Sequence, residues 1–181
     1  QDSAFVRLFR DRVQCHCFEG GALTAEENIR RWEEAKQMID GSMPLEAARW
    51  ASVDQYTLWL AEIERMKNEF FTYRTDVFLQ QLKDAGLFPD LKAVDYSHPS
   101  GDVPQGFQLF LANPNNNGDI YYTLDGTDPI GPNGQPAANA VLFNQQPIIL
   151  NAARTEVRAR VWDGTEWSAL CPKTYRIGQK Y

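Results

Sequence analysis

The spacing of apolar residues changes once along this 181-residue chain, near residue 87, and that change limits the folds open to it. Up to Gly86, apolar side chains recur every three to four residues, as they do on one face of an α-helix. Beyond residue 95 they alternate with polar residues in short runs, as on a β-strand with one buried face. The sequence therefore predicts an α+β chain of two domains, a helical bundle over residues 1–90 and a β domain over residues 91–181.

The first half predicts five helices joined by short connections. Thr24 followed by Glu27 predicts a capping box at the start of the second helix. Pro44 suits the first turn of the third helix, and Gly86 follows the last one, where a C-terminal glycine is favoured. We expect the large apolar side chains that follow helical spacing to form the core: Phe5, Leu8, Phe9, Val13, Trp32, Trp50, Leu58, Trp59, Ile63, Met66, Phe70 and Phe71.

The second half contains five short runs of period two, separated by clusters of Asn, Gly, Pro and Asp. The runs are "FQLFLA", "IYYTL", "PIIL", "TEVRARVW" and "EWSAL". Alternation within "TEVRARVW" directs Val157, Ala159 and Val161 to the core. Several short strands at this spacing are typical of an antiparallel β-sandwich, which we expect here.

Aromatic and basic side chains on the outer face of these strands are the candidate ligand contacts. Arg158, Arg160 and Trp162 alternate with the core residues of their run, and Tyr121 faces outward in "IYYTL". Exposed Trp and Tyr rings stack on the apolar faces of sugars, so Tyr121, Trp162, Arg158 and Arg160 are candidate carbohydrate contacts. The alternative is that Trp162 packs against the other domain or under a loop. We expect Trp167, in "EWS", to belong to the core.

The acidic stretch "DGTDP", residues 125–129, admits a structural and a functional interpretation. Asp125 and Gly126 are typical of a turn, and Asp128 before Pro129 favours a second one, with both side chains capping backbone N–H groups. The spacing of an EF-hand is absent, and an exposed turn does not provide the apolar pocket of a glycosidase acid. We expect a structural turn, with calcium binding by Asp125 and Asp128 as the lesser alternative.

Charge and hydropathy exclude two classes of partner. The net charge is −6, and the sequence lacks the clustered basic surface that nucleic-acid binding requires. It also lacks an apolar run near the roughly 20 residues of a membrane-spanning helix. The chain begins at Gln1 rather than Met, from which we expect a piece of a longer protein.

Cysteine and histidine give no catalytic or metal-binding pattern. Cys15 and Cys17 flank His16, but on a helix a spacing of two directs the thiols to different faces, with no second pair nearby. Three cysteines cannot form a fully paired disulfide framework, and we expect them to be buried or inert thiols. Neither His16 nor His98 has a nucleophile and an orienting acid nearby. We expect no metal, no cofactor and no catalysis in this chain.

Two family resemblances extend this interpretation. "IYYTLDGTDP", followed by "PIIL" and "TEVRARVWDGTEWSAL", resembles the small C-terminal module of chitobiases and β-hexosaminidases. The resemblance covers about half of the chain. It implies an immunoglobulin-like or fibronectin type III-like sandwich that serves as an accessory domain in secreted bacterial proteins.

The helical half resembles another family. "FRDRV", "GGALT", "AARW", "WLAEIERMKNEFF" and "RTDVFLQQLKDAGLFP" resemble the C-terminal helical segment of spore-coat-protein-H-like (CotH) kinases. In that family the segment precedes a chitobiase-type sandwich. The resemblance implies that nucleotide and metal ligands lie upstream, since this sequence has neither a glycine-rich phosphate loop nor an Asp-rich metal motif.

These observations predict a non-catalytic accessory region of a larger extracellular or cell-surface bacterial protein. We expect it to act as a spacer or docking module, with a polysaccharide or cell-surface glycan and the upstream domains as partners. Two alternatives stay open: a structural C-terminal segment of a CotH-like kinase, and a true carbohydrate-binding module.

Overall fold

A computed structural model describes residues 3–50 and 55–178, which form two compact units. The β unit consists of residues 3–14 and 86–178, and the helical unit of residues 15–85. Helices precede residue 86 and strands follow it, which confirms the α+β class. The periodicity predicts one helical domain over residues 1–90. In the structure, residues 3–14 group with the strands instead. Asp11 in this segment accepts hydrogen bonds from side-chain and backbone donors of the β unit.

Five α-helices and one π-helical turn are present in the described residues. They are α1 Ser3–Cys17, α2 Ala25–Ile39, α3 Met43–Arg49, α4 Gln55–Arg65, the π-helical turn Met66–Phe71 and α5 Thr72–Asp84. Within the described residues, no helix combines the length and apolar character needed to cross a bilayer.

The local signals at the helix ends are largely confirmed. Thr24 is the N-cap of α2, and its Oγ1 accepts a hydrogen bond from the Glu27 N–H at 3.4 Å. The Glu27 carboxylate binds Arg30 at 2.8 and 3.0 Å rather than reaching back to Thr24, so only half of the predicted capping box forms. Pro44 lies in the first turn of α3, and Gly86, with φ of +68°, follows the end of α5.

The fourth and fifth helices, expected to be separate, are continuous. Residues 55–84 run through the π-helical turn without an interruption, because neither glycine nor proline lies between them to end the first helix. The Thr72 hydroxyl donates to the Lys67 carbonyl oxygen at 2.9 Å and satisfies an acceptor in the widened turn.

The predicted core of the helices is wrong for several of its members. Trp50, Leu58 and Phe70 are exposed in the helical unit, as are Phe5 and Leu8 in the β unit. Among the described residues of the helical unit, few apolar residues are buried: Cys17, Ala47, Ile63, Leu79 and Leu82. α2, which is described along its whole length, buries none of its residues. Helical periodicity identifies an apolar stripe but does not show whether another layer covers it.

The β unit contains one large sheet and two small ones. The five-stranded sheet has the order β2–β9–β8–β5–β6, and the pairs β1–β4 and β3–β7 form separate two-stranded ribbons. The strands are β1 Asp95–Tyr96, β2 Gly101–Val103, β3 Phe107–Leu109, β4 Leu111–Ala112, β5 Asp119–Thr123, β6 Val141–Leu142, β7 Ile148–Leu150, β8 Arg154–Trp162 and β9 Lys173–Ile177.

The prediction of an antiparallel sandwich is wrong for one strand pair. β2 pairs with β9 in parallel, with Asp102 opposite Arg176, while the other pairs between these strands are antiparallel. Parallel neighbours need a long connection, and β2 and β9 are separated in sequence by the other strands of the large sheet.

The strands of the β unit bury their apolar side chains in a shared hydrophobic core. Val157, Ala159 and Val161 of β8 are buried, as the alternation predicts. Leu109 and Leu150 reach the same core from the β3–β7 ribbon, and Leu111 belongs to β4 of the other ribbon. The large sheet and both ribbons therefore bury their apolar side chains together.

Candidate functional site

Arg160 of β8 lies in the interior of the β unit, with only 1% of its surface exposed. Its guanidinium donates to the Asp11 carboxylate at 2.8 and 2.6 Å and to the Asp128 carboxylate at 2.9 and 2.7 Å. The carbonyl oxygen of Ser168 accepts a further hydrogen bond at 2.8 Å. All five N–H donors of the guanidinium are thus used, which removes Arg160 from the candidate carbohydrate contacts.

The two carboxylates keep this buried charge paired. Burial opposes ionisation of Asp128, but the hydrogen bonds and charge of Arg160 outweigh it and hold the pKa of Asp128 below its ordinary value. Burial also disfavours the charged form of Arg160, but the hydrogen bonds that it donates to Asp128 and Asp11 leave its pKa raised. Asp11 on α1 and Asp128 in the acidic turn are therefore held against β8 by one cation.

The acidic turn, residues 125–129, has the geometry of a structural turn rather than of a calcium site. Asp125 Oδ1 accepts hydrogen bonds from the backbone N–H and hydroxyl of Thr127, at 3.0 and 2.6 Å, and these lower the pKa of Asp125. Its Oδ2 accepts from Asn139 at 2.9 Å, and Asp128 Oδ1 also accepts from the Ile130 N–H at 3.0 Å. Every oxygen of both predicted calcium ligands, Asp125 and Asp128, therefore already has a partner. In the part of the chain that the structure describes, no three His, Cys, Asp or Glu residues are placed to share a metal ion.

Three aromatic side chains meet on the surface of the β unit, and we call Tyr121, Trp162 and Trp167 the aromatic cluster. The rings of Trp162 and Trp167 stack with centroids 4.7 Å apart and an interplanar angle of 28°. Tyr121 approaches Trp167 edge-on, with centroids 5.8 Å apart. All three are half-buried, and the Trp167 indole N–H donates to the Gly134 carbonyl oxygen at 2.7 Å. Two of the predicted carbohydrate contacts, Tyr121 and Trp162, are thus brought together.

The prediction that Trp167 belongs to the core is wrong, because its side chain is only half-buried. It forms an isolated antiparallel bridge with Trp162 across a tight turn, and the Asp163 carboxylate accepts the Thr165 and Glu166 N–H groups within that turn. The sequence between the two tryptophans, "DGTE", carries the turn signal that could have indicated this pairing.

Arg158, the fourth candidate contact, forms an ion pair with Glu156 at 2.8 Å. Its side chain is one-third exposed, so it remains at the surface of the large sheet. Its Cα partner across the sheet is Thr123, whereas Tyr121 is paired with Arg160.

A cavity of about 530 Å³ adjoins the aromatic cluster within the β unit. Trp167 lines it together with Arg7 and Arg10 of α1 and Glu166. Arg10 Nη1 lies 3.2 Å from Glu166 Oε1, which joins α1 to the turn that carries Trp167. Sequence reasoning missed Arg7 and Arg10 because they are far in sequence from the strands.

The cysteines differ from the expectation of inert thiols. Cys15 and Cys171 are disulfide-bonded, which corrects that expectation for both of them. Cys17 is a free and buried thiol, and burial raises its pKa. A thiol held in its neutral form is a poor nucleophile, so Cys17 remains a structural side chain.

Comparison with known families matches residues 109–175 to the family described as "Fn3 associated". The matched segment contains the aromatic cluster, the acidic turn and Arg160. Comparisons with curated proteins and with solved structures found no match. The family match indicates a fibronectin-III-associated β module, and with it an accessory module of a larger protein.

Proposed function

We propose that this chain is a non-catalytic accessory region of a secreted or surface bacterial protein, and that its β unit contacts carbohydrate through the aromatic cluster. The observation that carries the proposal is the stacked pair Trp162 and Trp167 with Tyr121 at its edge, half-exposed on one surface. Aromatic rings of this kind present an apolar face and a polar tip, which suits the alternating C–H and hydroxyl surfaces of sugars. The cluster lies within the segment that matches the Fn3-associated family.

The carboxylates of the acidic turn are not suited to glycoside hydrolysis, which supports a binding role for the β unit. A general acid in hydrolysis needs a carboxyl group whose pKa is raised so that it stays protonated. The pKa values of Asp125 and Asp128 are instead lowered, by hydrogen bonds from Thr127 in the first case and by Arg160 against the cost of burial in the second. Both residues are held ionised as structural acceptors.

The proposed extracellular location is supported by the oxidised cysteines. Cys15 and Cys171 are disulfide-bonded, and such bonds persist mainly in oxidising compartments. An extracellular location is also where an accessory module would meet a polysaccharide.

Trp162→Ala tests carbohydrate binding in the full-length chain. The chain is retained because residues 3–14 belong to the β unit. We expect the wild type to bind one or more of chitin, cellulose, xylan and peptidoglycan in a pull-down assay. We expect Trp162→Ala to weaken that binding at least about tenfold, because an aromatic anchor at the centre of a site is worth about 2 kcal/mol or more.

Trp50→Ala is the matched control, because Trp50 is exposed in the helical unit and lies outside the aromatic cluster. This variant should bind as the wild type does. Failure of the wild type to bind any of the four polysaccharides, or an equal loss in both variants, would contradict the proposal.

A second function is favoured by the apolar surface of the helical unit. Met38 is 83% exposed and Leu45 is 75% exposed, and Trp50 and Leu58 are exposed as well. Large contiguous patches of exposed apolar side chains mark interaction surfaces. We therefore propose that the helical unit docks on another part of its parent polypeptide, as expected for the C-terminal segment of a CotH-like kinase with its catalytic residues upstream.

Replacing Met38 and Leu45 together with glutamate tests this docking role. We expect the double variant to self-associate less than the wild type in sedimentation velocity, while its free energy of unfolding changes by no more than about 1 kcal/mol, because both side chains are exposed. Ile63→Ala is the contrasting variant, since Ile63 is buried and its truncation should cost about 2–5 kcal/mol. A large loss of stability in the double variant would argue against a docking surface, because it would show that Met38 and Leu45 stabilise the helical unit itself.

A further inference from the structure

The cavity beside the aromatic cluster has the size of a small-ligand site. Its volume of about 530 Å³ falls within the range of roughly 300–1,000 Å³ that is common for such sites. Its lining combines apolar, aromatic and charged side chains, among them Val6, Arg7, Arg10, Ile130, Glu166 and Trp167. Since Trp167 belongs to both, the aromatic cluster and the cavity form one continuous surface.

Arg7 brings a cationic group without a hydrogen-bonded counter-ion to this cavity. The chain has a net charge of −6, yet three arginines line the cavity. The carboxylates of Asp11 and Asp128 are committed to Arg160. Arg7 is half-buried, and its charge acts on the Asp128 carboxylate, but it forms neither a hydrogen bond nor a salt bridge with any described residue. An anion in the cavity would give its guanidinium a partner.

Arg10 has an unused donor in the same place. Its Nη1 donates to Glu166 at 3.2 Å and its Nη2 to the Gly86 carbonyl oxygen at 3.2 Å. Its Nε is buried and has no hydrogen-bond partner among the described residues. Nη1 and Nη2 each carry a second N–H, through which Arg10 can donate to an anionic ligand oxygen.

We infer that this cavity binds the carboxylate of an acidic saccharide, with Arg7 and Arg10 receiving the carboxylate and Trp167 packing against a sugar ring. The inference rests on the carbohydrate binding proposed above and assigns the class of sugar. Guanidinium groups bind carboxylates through paired, charge-assisted hydrogen bonds, which distinguishes an acidic sugar from its neutral counterpart. A neutral sugar would leave the guanidinium of Arg7 without a hydrogen-bonded anion.

Titration calorimetry of the full chain at low salt, with trigalacturonate and with its fully methyl-esterified form, tests this inference. The two probes share sugars and linkages and differ in the negative charges. We expect trigalacturonate to bind at least about tenfold more tightly, which is the worth of one charge-assisted hydrogen bond. Arg7→Gln should reduce this difference at least about threefold, since Arg10 still receives the carboxylate. Arg12→Gln, which removes the same charge from an exposed position of α1 outside the cavity, should leave it within about twofold.

The outcomes separate this inference from the proposed function. Equal affinity for the acid and its ester, with both lost in Trp167→Ala, would overturn the assignment to acidic sugars and leave carbohydrate binding standing. Equal weakening in Arg7→Gln and Arg12→Gln would overturn it too, because the effect would then be one of overall charge. If neither probe binds, the assignment is overturned, and the polysaccharide pull-down decides the proposed function independently.

Discussion

Replacing Arg160 with alanine is expected to lower the free energy of unfolding of the β unit by about 3–5 kcal/mol, the usual cost of removing one partner from a buried ion pair. The substitution would leave the carboxylates of Asp11 and Asp128 facing each other without the cation that both now bind at 2.6–2.9 Å. It would also remove a large, fully buried side chain from the unit. Urea denaturation followed by tryptophan fluorescence measures the effect.

Arg158→Ala is the control on the same strand. Arg158 forms a partly exposed pair with Glu156, so its loss should cost no more than about 1 kcal/mol. A similar cost for both variants would show that the buried pairs contribute no more than a surface pair does.

The pH dependence gives a second readout of the same substitution. The folded-state pKa of Asp128 lies below its unfolded value, which is about 4. A lowered folded pKa contributes stability that is present above the unfolded pKa and is lost as pH falls through the folded pKa. The difference in stability between the wild type and Arg160→Ala should therefore narrow below about pH 4.

Gly118→Ala is expected to destabilise the β unit by about 2–4 kcal/mol, the sum of backbone strain and overpacking. Gly118 precedes β5 and has φ of +88°, a conformation that residues with a Cβ rarely adopt. A Cβ at this position would lie 2.8 Å from Val161 Cγ1 and 3.0 Å from the Trp162 carbonyl oxygen. Because that oxygen belongs to the backbone of β8, it cannot move aside as a flexible side chain would. Urea midpoints of the variant and the wild type measure the loss.

Gly164→Ala separates the cost of backbone strain from the cost of overpacking. Gly164 has φ of +98°, but a Cβ there would meet no atom within 4 Å, so this variant carries the strain without the clash. It should cost about 1–2 kcal/mol. If Gly118→Ala costs no more than Gly164→Ala, the close approach of Gly118 to β8 is not a constraint on the fold.

Local signals were sufficient for much of the fold. Thr24, Pro44 and Gly86 predict helix ends because each acts on backbone groups within one turn of itself. The alternation in β8 predicts the buried face of the strand for a similar reason, since it depends on neighbouring residues only.

Features that depend on distant parts of the chain were not predictable in this way. Alternation predicts that Arg160 lies on the outer face of β8. It cannot predict that α1 covers this face and brings Asp11 to Arg160. The parallel pairing of β2 with β9 and the stacking of Trp167 on Trp162 likewise depend on which segments meet. The candidate site was therefore predicted in part: Tyr121 and Trp162 were identified, whereas Arg7, Arg10 and Trp167 were not.

The division of the β unit between two segments of the chain sets the order in which it can form during synthesis. Asp11 and Arg160 are 149 positions apart, and ribosomes add about 5–20 residues per second, so roughly 7–30 s separate their appearance. Over that interval the N-terminal segment has been made but lacks its partners, while the whole helical unit has already been translated. The β unit therefore closes late, and a nascent chain that stalls before β8 leaves Asp11 without Arg160.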